Sequence, residues 1–329
     1  VLLTGASGFV GAAVMRALIT AGYEVRALVR APASFHPLPS VTVCPGDITH
    51  LASTVAAARS CDSVIHCAAD YRLSLRPADA TRMIAVNVGG TANVLMAAHA
   101  VGAKRLVHCS TVGTLAFQRS GRVCTELDRA PSPATLAGPY KRSKWAAERL
   151  VLGAASAGLE VVVVQPSTPV GGGDHRPTPT GQIIRDFLRG RIPAVVDTGL
   201  NLVAVEAVAR GHLLALERGQ PGRSYILGDH NLTLRQVLSQ VAEIAGVPPP
   251  RWRLPLGVAM VAAFSSETWG RLRDHPPAIS LTSVRMASHP MYVDSARARE
   301  ELGWDSGDLD AALRAAVAEL GPTKASRAA

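Results

Sequence analysis

Aromatic residues make up only 4% of this 329-residue chain and charged residues only 18%. The densest basic spots are Lys141-Arg142-Ser143-Lys144 and Arg271-Leu272-Arg273, and neither is interleaved with aromatics. Tracking a nucleic acid takes basic grooves with stacking platforms, so nucleic acid is not an expected partner despite a net charge of +9. The excess of cations suits anionic small molecules, or solubility alone. Cysteine is also scarce: Cys44, Cys61, Cys67, Cys109 and Cys124. Their number is odd and no pair has C-x-x-C spacing. They read as reduced core residues of a cytoplasmic protein, not a disulfide frame or zinc site. The histidines form no H-x-x-x-H or H-E-x-x-H array, so no metal is expected. No apolar run is long enough to span a bilayer. The longest, Leu254 to Phe264, is interrupted by Pro255 and suits a buried or interface helix, or peripheral contact with a membrane. The chain opens inside a strand-like run, and no signal peptide is read there.

What is present is a well-cored globular composition, 48% hydrophobic, with length for two domains. Strand-like runs stand at Val1–Thr4, Glu24–Val29, Val41–Cys44, Ser63–Cys67, Arg105–Cys109 and Val161–Gln165. Helical periodicity fills most of the gaps: Phe9, Val10, Ala13, Val14, Ala17 and Leu18 in one, Met83 to Leu95 and on to Val101 in another. Short strands alternating with helices predict an α/β fold, a Rossmann-type doubly wound parallel sheet with a smaller C-terminal substrate-binding domain. The dinucleotide-binding part is expected over 1–165, rejoined by about 200–218. The substrate-binding or lid region is expected over 166–199 and 219–321, with a frayed tail at 322–329.

The chemistry begins with Thr4-Gly5-Ala6-Ser7-Gly8-Phe9-Val10-Gly11, between a strand and a helix. Glycines at 5, 8 and 11 allow a tight turn and close approach of backbone to a pyrophosphate, which then sits on the helix N-terminus. Further along, Tyr140 and Lys144 share a helix face at i, i+4. An ammonium beside a tyrosine stabilises the phenolate and lowers its pKa, making a group that exchanges protons with an alcohol or a carbonyl. Ser110-Thr111 closes a strand at the carboxyl edge of the sheet, where ligands of such folds bind. Cofactor turn, base and hydroxyl donor together suffice for hydride transfer at a C–OH or C=O carbon.

As a set, these segments resemble the extended short-chain dehydrogenases/reductases of the NAD-dependent epimerase/dehydratase group. The resemblance adds Gly46-Asp47-Ile48, His66-Cys67-Ala68-Ala69, Asn87-Val88-Gly89-Gly90-Thr91 and the closing Ala298-Arg299-Glu300-Glu301-Leu302-Gly303-Trp304. Within the group, Ala69-Asp70-Tyr71-Arg72-Leu73, Pro166 through Gly181, and Tyr225–Gly228 with Asn231–Leu234 are similar to the hopanoid-associated sugar epimerases, themselves similar to dihydroflavonol reductases. The resemblance implies Tyr140 as acid/base, Lys144 on the nicotinamide ribose, and Thr111 on the reacting substrate oxygen. It implies cofactor contacts for Gly5, Ser7, Gly8, Phe9, Val10, Gly11, Asp47, Ile48, Ala68, Ala69, Asn87, Ser110, Pro166 and Thr168. Asn87 equally suits a bridging amide. Asp70, Tyr71, Thr178 and Thr180 are candidates for substrate contact. Leu202-Val203-Ala204-Val205-Glu206 departs from the family's polar stretch there. A homodimer pairing helices near 82–101 and 141–157 is also implied.

An NAD site usually places an acid about 20 residues after the glycines, on the ribose 2′-OH. Here the strand ends in Arg30, with Arg26 nearby. A guanidinium pairs with a 2′-phosphate, so NADP(H) is expected over NAD(H). The same catalytic set serves an epimerase acting on a sugar or sugar nucleotide linked to hopanoid-type lipids. It serves equally an NADPH-dependent ketone or aldehyde reductase of the dihydroflavonol-reductase type. A cofactor-binding regulator without turnover is a third reading, against which the intact Thr111, Tyr140 and Lys144 stand.

Overall fold

The computed structural model describes residues 1–71, 77–155, 158–192, 194–273, 284 and 287–321. Arg72 and Leu73 of the resembling stretch, and the tail from 322, lie outside the described residues. The strands fall close to the sequence expectation: β1 (Leu2–Thr4), β2 (Val25–Val29), β3 (Val41–Pro45), β4 (Ser63–His66), β5 (Arg105–Cys109) and β6 (Glu160–Pro166). Between them run α1 (Phe9–Thr20), α2 (Leu51–Ala58), α3 (Pro77–Ile84), α4 (Gly90–Ala100) and α5 (Gly138–Ala154). A π turn at Ala85–Gly89 joins α3 to α4, and the Pro-rich connection after β2 forms only a 3₁₀ turn at Pro32–Ser34.

The main sheet has seven strands in the order β3-β2-β1-β4-β5-β6-β10, all parallel, where β10 is Ser224–Leu227. Strand order reverses at β1, the position at which ligands of doubly wound sheets bind. Successive residues of one strand serve opposite cores. Leu3, Ile65 and Val107 pack towards α1 and α7 (Val205–Arg218). Leu2, Val64 and Leu106 pack towards α2, α4 and α5. Burial on both faces is why these strands read as continuous apolar runs rather than alternating ones.

Beyond β6 the chain adds β7 (Thr168–Val170), α6 (Pro179–Leu188), β8 (Ala194–Val196) and β9 (Gly199–Ala204) before α7. After β10 come β11 (His230–Thr233), α8 (Leu234–Ala245), β12 (Trp252–Leu254), α9 (Leu256–Arg273), α10 (Ala296–Leu302) and α11 (Leu309–Leu320). A three-stranded sheet β11-β9-β7 and a two-stranded sheet β12-β8 build this part. The return to the main sheet thus extends past 218: α7 covers β5 and β6, and β10 pairs with β6, inside the stretch assigned from sequence to the substrate region. Ile184, Phe187, Val237, Leu238 and Leu313 also share one core with α1 and α7. The Trp304 indole donates to the Ala207 carbonyl at 2.8 Å, fastening the closing segment to α7. The departure at 202–205 is explained by this packing, because Leu202, Val203, Ala204 and Val205 are all core residues.

Among the described residues, one helical run, Ala78–Ala100, is long and apolar enough to cross a membrane by length and composition. It packs against α2 and α5.

Candidate active site

The glycine turn is shaped by close approach. Gly5 has φ +79°, and a Cβ there would stand 2.6 Å from the Ala68 nitrogen. A Cβ on Gly11 would stand 2.0 Å from the Gly5 carbonyl oxygen. Glycine at both positions lets α1 start directly against β1 and lets the loop after β4 close on the turn. That loop is held from below: the Ala68 N–H donates to Thr4 Oγ1 at 3.2 Å, and Thr4 Oγ1 also pairs with His66 Nδ1 at 2.7 Å. Ser7 and Gly8 are exposed, Gly8 caps α1 with no side-chain bond, and no acid occupies the first turn through Phe9 and Val10. An uncapped helix N-terminus under a cradle that no Cβ fills fits a diphosphate.

The ribose end is set by β2 and β3. Arg30 is exposed just beyond β2. Burial raises the pKa of the neighbouring Asp47, but hydrogen bonds from the Thr49 N–H and hydroxyl and the charge of Arg30 outweigh it, holding the carboxyl below its ordinary range. Arg26 Nε donates to the Ala57 carbonyl at 2.9 Å, which draws that side chain towards α2. Ile48 is buried, fills the space over Gly90, and takes a hydrogen bond on its carbonyl from Asn93 at 2.8 Å.

The reacting end lies where β4, β5 and β6 stop. Tyr140 sits in the first turn of α5. Burial is the largest influence on its phenol and raises its pKa well above the ordinary value, opposed by a hydrogen bond with Thr111. The expected lowering by Lys144 is therefore not what the structure shows. Lys144 is 3% exposed, and its Nζ donates to the Cys109 carbonyl at 2.6 Å. The Tyr71 ring meets Tyr140 edge-on, with centroids 4.2 Å apart. Tyr71 keeps exposed surface, yet the atoms packed around it and, after them, the Asp174 carboxylate raise its phenol above the ordinary value. Asp174, in the loop before α6, is thus near enough to Tyr71 for its charge to act on the phenol.

Other candidates have their polar atoms committed within the protein. Asn87 accepts from the Asp70 N–H at 2.6 Å and donates to the Asp70 carbonyl at 3.0 Å and to Ser143 Oγ at 2.9 Å. It bridges the substrate loop to α5, the alternative left open by the sequence. Ser110 Oγ donates to Glu148 at 2.5 Å. Thr178 caps α6, accepting from the Gly181 N–H at 3.2 Å and donating to Asp174 at 2.9 Å. Thr180 lies in the first turn of α6, Pro166 ends β6, Thr168 opens β7, and Ala69 is exposed after β4.

Sequence reasoning passed over three residues. Glu148 continues the row of Tyr140 and Lys144 by one more helical turn, and is 3% exposed. Its carboxylate accepts from Ser110, from Thr114 at 3.0 Å and from Gln165 at 3.1 and 3.2 Å. The i, i+4, i+8 spacing was the available signal. Lys141 lies beside Gly113, and burial pushes its ammonium down to about 8. His212, on α7, meets Cys67 and Cys109.

A dinucleotide cradle with a Tyr–Thr–Lys set at one sheet edge is the arrangement of a known group of enzymes, and the sequence comparison decides which. The profile of the NAD dependent epimerase/dehydratase family matches residues 1–228. The chain belongs to this family. The membership makes it an NAD(P)-dependent enzyme of the extended short-chain dehydrogenase/reductase type. It is 39% identical over 322 residues, 96% of this chain and 92% of that protein, to a putative dihydroflavonol 4-reductase of Synechocystis sp.. It is 32% identical over 323 residues, 96% of this chain and 97% of that protein, to sterol demethylase protein B of Methylococcus capsulatus. Among solved structures it is similar to that of gox2253, with TM-score 0.85 and 38% identity over 97% of this chain and 96% of that one. For this epimerase/dehydratase family member, the fold and the nicotinamide cofactor class agree with the sequence reading.

Proposed function

We propose that this protein is an NADP(H)-linked oxidoreductase that interconverts a ketone and a secondary alcohol on an apolar, ring-containing substrate. The observation that carries the reading is Arg30. It stands exposed at the end of β2, where an NAD-specific site would hold an acid, while Arg26 is turned away. A 2′-phosphate pairs with such a guanidinium, and the phosphorylated cofactor is the one consumed in net reduction. When bound, the nicotinamide would supply or accept the hydride. Tyr140 gives the proton to the carbonyl oxygen as the hydride reaches the carbon, and takes it back in the reverse direction. Thr111 hydrogen-bonds the same oxygen. Lys144, fixed on the Cys109 carbonyl, would hold the cofactor ribose.

The substrate class rests on the cleft and on the relatives. The paired Tyr71 and Tyr140 rings would offer apolar surface to a substrate, and Asp70, Thr178 and Thr180 are its candidate polar contacts. Dihydroflavonol and sterol, named for the two relatives, are both ring compounds. A homodimer fits the exposed Ile84, Met96 and Leu150 on α3, α4 and α5.

A second reading, epimerisation of a sugar or sugar nucleotide linked to hopanoid-type lipids, draws on Lys141. That half-buried cation beside Tyr140 suits a phosphate or carboxylate on the substrate. One experiment separates the two. The purified protein is analysed by mass spectrometry for retained cofactor, then assayed for NADPH oxidation with cyclic ketones. An initially empty site and ketone-dependent oxidation of NADPH, faster than of NADH, are expected. Tightly retained NAD⁺ with no net oxidation of NADPH would reject the reductase in favour of the epimerase.

A further inference from the structure

A cluster outside the hydride-transfer set lies on the other side of the Lys144 anchor. Cys67 follows β4, Cys109 ends β5 and His212 sits within α7. β4 and β5 are parallel with His66 opposite His108, so the next residues, Cys67 and Cys109, stand side by side. Both pack against the α1/α7 core. One ligating atom from each of the three residues lies within 4.8 Å of the other two. His212 is fully buried, and its Nδ1 is 2.8 Å from the Val208 carbonyl. That contact places the ring proton on Nδ1 and leaves a lone pair on the buried Nε2, which faces the Cys109 thiol.

We propose that Cys67, Cys109 and His212 form a binding site for one thiophilic cation of the Zn²⁺ class, with the fourth coordination position left to water or a ligand. Two thiolates and an imidazole are the ligand types such ions select. Metal–sulfur distances of about 2.3 Å and metal–nitrogen distances of about 2.0 Å bring tetrahedral ligands to roughly 3.5–4 Å of one another, a small contraction of the present cluster. The Val208 carbonyl supplies the outer hydrogen bond that orients a ligating histidine. Cys67 and Cys109 are only partly buried, which gives the ion an approach. On binding, each thiol loses its proton to solvent, so the ion is held by two anionic sulfurs and one neutral nitrogen. The site adjoins catalysis at the Cys109 carbonyl oxygen that holds Lys144, and through the charge coupling of both sulfurs to that ammonium.

The test uses the full-length protein, reduced, freed of metal with a chelator and kept anaerobic. It is titrated with Co²⁺ and then challenged with Zn²⁺. One Co²⁺ per chain is expected, with thiolate-to-cobalt charge-transfer absorption that Zn²⁺ abolishes. Cys67→Ser and Cys109→Ser should each weaken binding by at least about 100-fold, and His212→Gln by about 10- to 100-fold. Cys124→Ser, outside the cluster, should change nothing. Alkylation of the unmodified protein gives a reading free of folding effects: Zn²⁺ should protect Cys67 and Cys109, which are partly exposed. Absence of charge-transfer absorption at stoichiometric Co²⁺, its survival in both serine variants, or alkylation of Cys67 and Cys109 at the metal-free rate would each overturn the site.

Discussion

Lys144 Nζ donates to the carbonyl oxygen of Cys109 at 2.6 Å. The bond ties α5 to the end of β5 and places a buried ammonium at the sheet edge. Burial lowers the Lys144 pKa, and Cys109, Cys67 and Glu148 partly offset that cost. One turn further along α5, Glu148 is itself held only by donors, Ser110, Thr114 and Gln165. The position of Tyr140 therefore depends on a buried polar frame beneath it.

Replacing Glu148 by Gln puts an amide donor where three donors already converge. A buried donor left without an acceptor costs about 1–3 kcal/mol. Glu148→Gln should lower the unfolding free energy by that amount in denaturant titration and reduce kcat with little change in NADPH affinity. Unchanged stability and kcat would remove Glu148 from the frame.

Arg30→Ala should reduce the preference for NADPH over NADH by about 10-fold or more, the worth of a charge-assisted pair of roughly 1.5–3 kcal/mol. The measurement is the pair of dissociation constants by fluorescence titration. A ratio equal to that of the parent would show that Arg30 does not meet the 2′-phosphate.

Gly11→Ala places a methyl group 2.0 Å from the Gly5 carbonyl oxygen. Backbone must shift to admit it, at a cost of about 1–3 kcal/mol. The variant should lose stability by thermal scan and bind either cofactor far more weakly. Gly22→Ala is the comparison: its φ is +83° but no atom lies within 4 Å of the added Cβ. It should lose stability through the backbone alone and keep cofactor affinity.

Lys141 carries a pH signature. Burial holds its pKa at about 8 against an ordinary 10.5. Between these values the unfolded chain holds more protons, so stability rises with pH through this group. Below about 8 the cost of the buried charge is fully present. Lys141→Met should raise Tm at pH 7, and that gain should shrink as the pH is taken from 8 to 10.5. A gain independent of pH would point to packing rather than charge.

The glycine turn, the six strands from β1 to β6 and the Tyr140–Lys144 pair were legible in the residues. Each rests on local rules: glycine conformational freedom, apolar runs of strand length and the spacing of a helix face. Asn87 and Ser110 were legible as positions but not as roles. Their polar atoms are taken by Asp70, Ser143 and Glu148, partners set by packing between distant segments. β10 could be read as a strand, but not as a member of the main sheet, because only its pairing with β6 decides that.

The sequence alone determined that the chain alternates strands and helices, that a dinucleotide turn opens it, and that Tyr140 and Lys144 share one helix face. Those properties arise within a few residues of backbone. Tertiary structure alone decided that burial, not Lys144, dominates the Tyr140 phenol. It also turned Arg26 away from the cofactor edge while leaving Arg30 there, and brought Cys67, Cys109 and His212 to one point. Desolvation and long-range contact depend on what the whole fold packs around a group, and no local pattern encodes that.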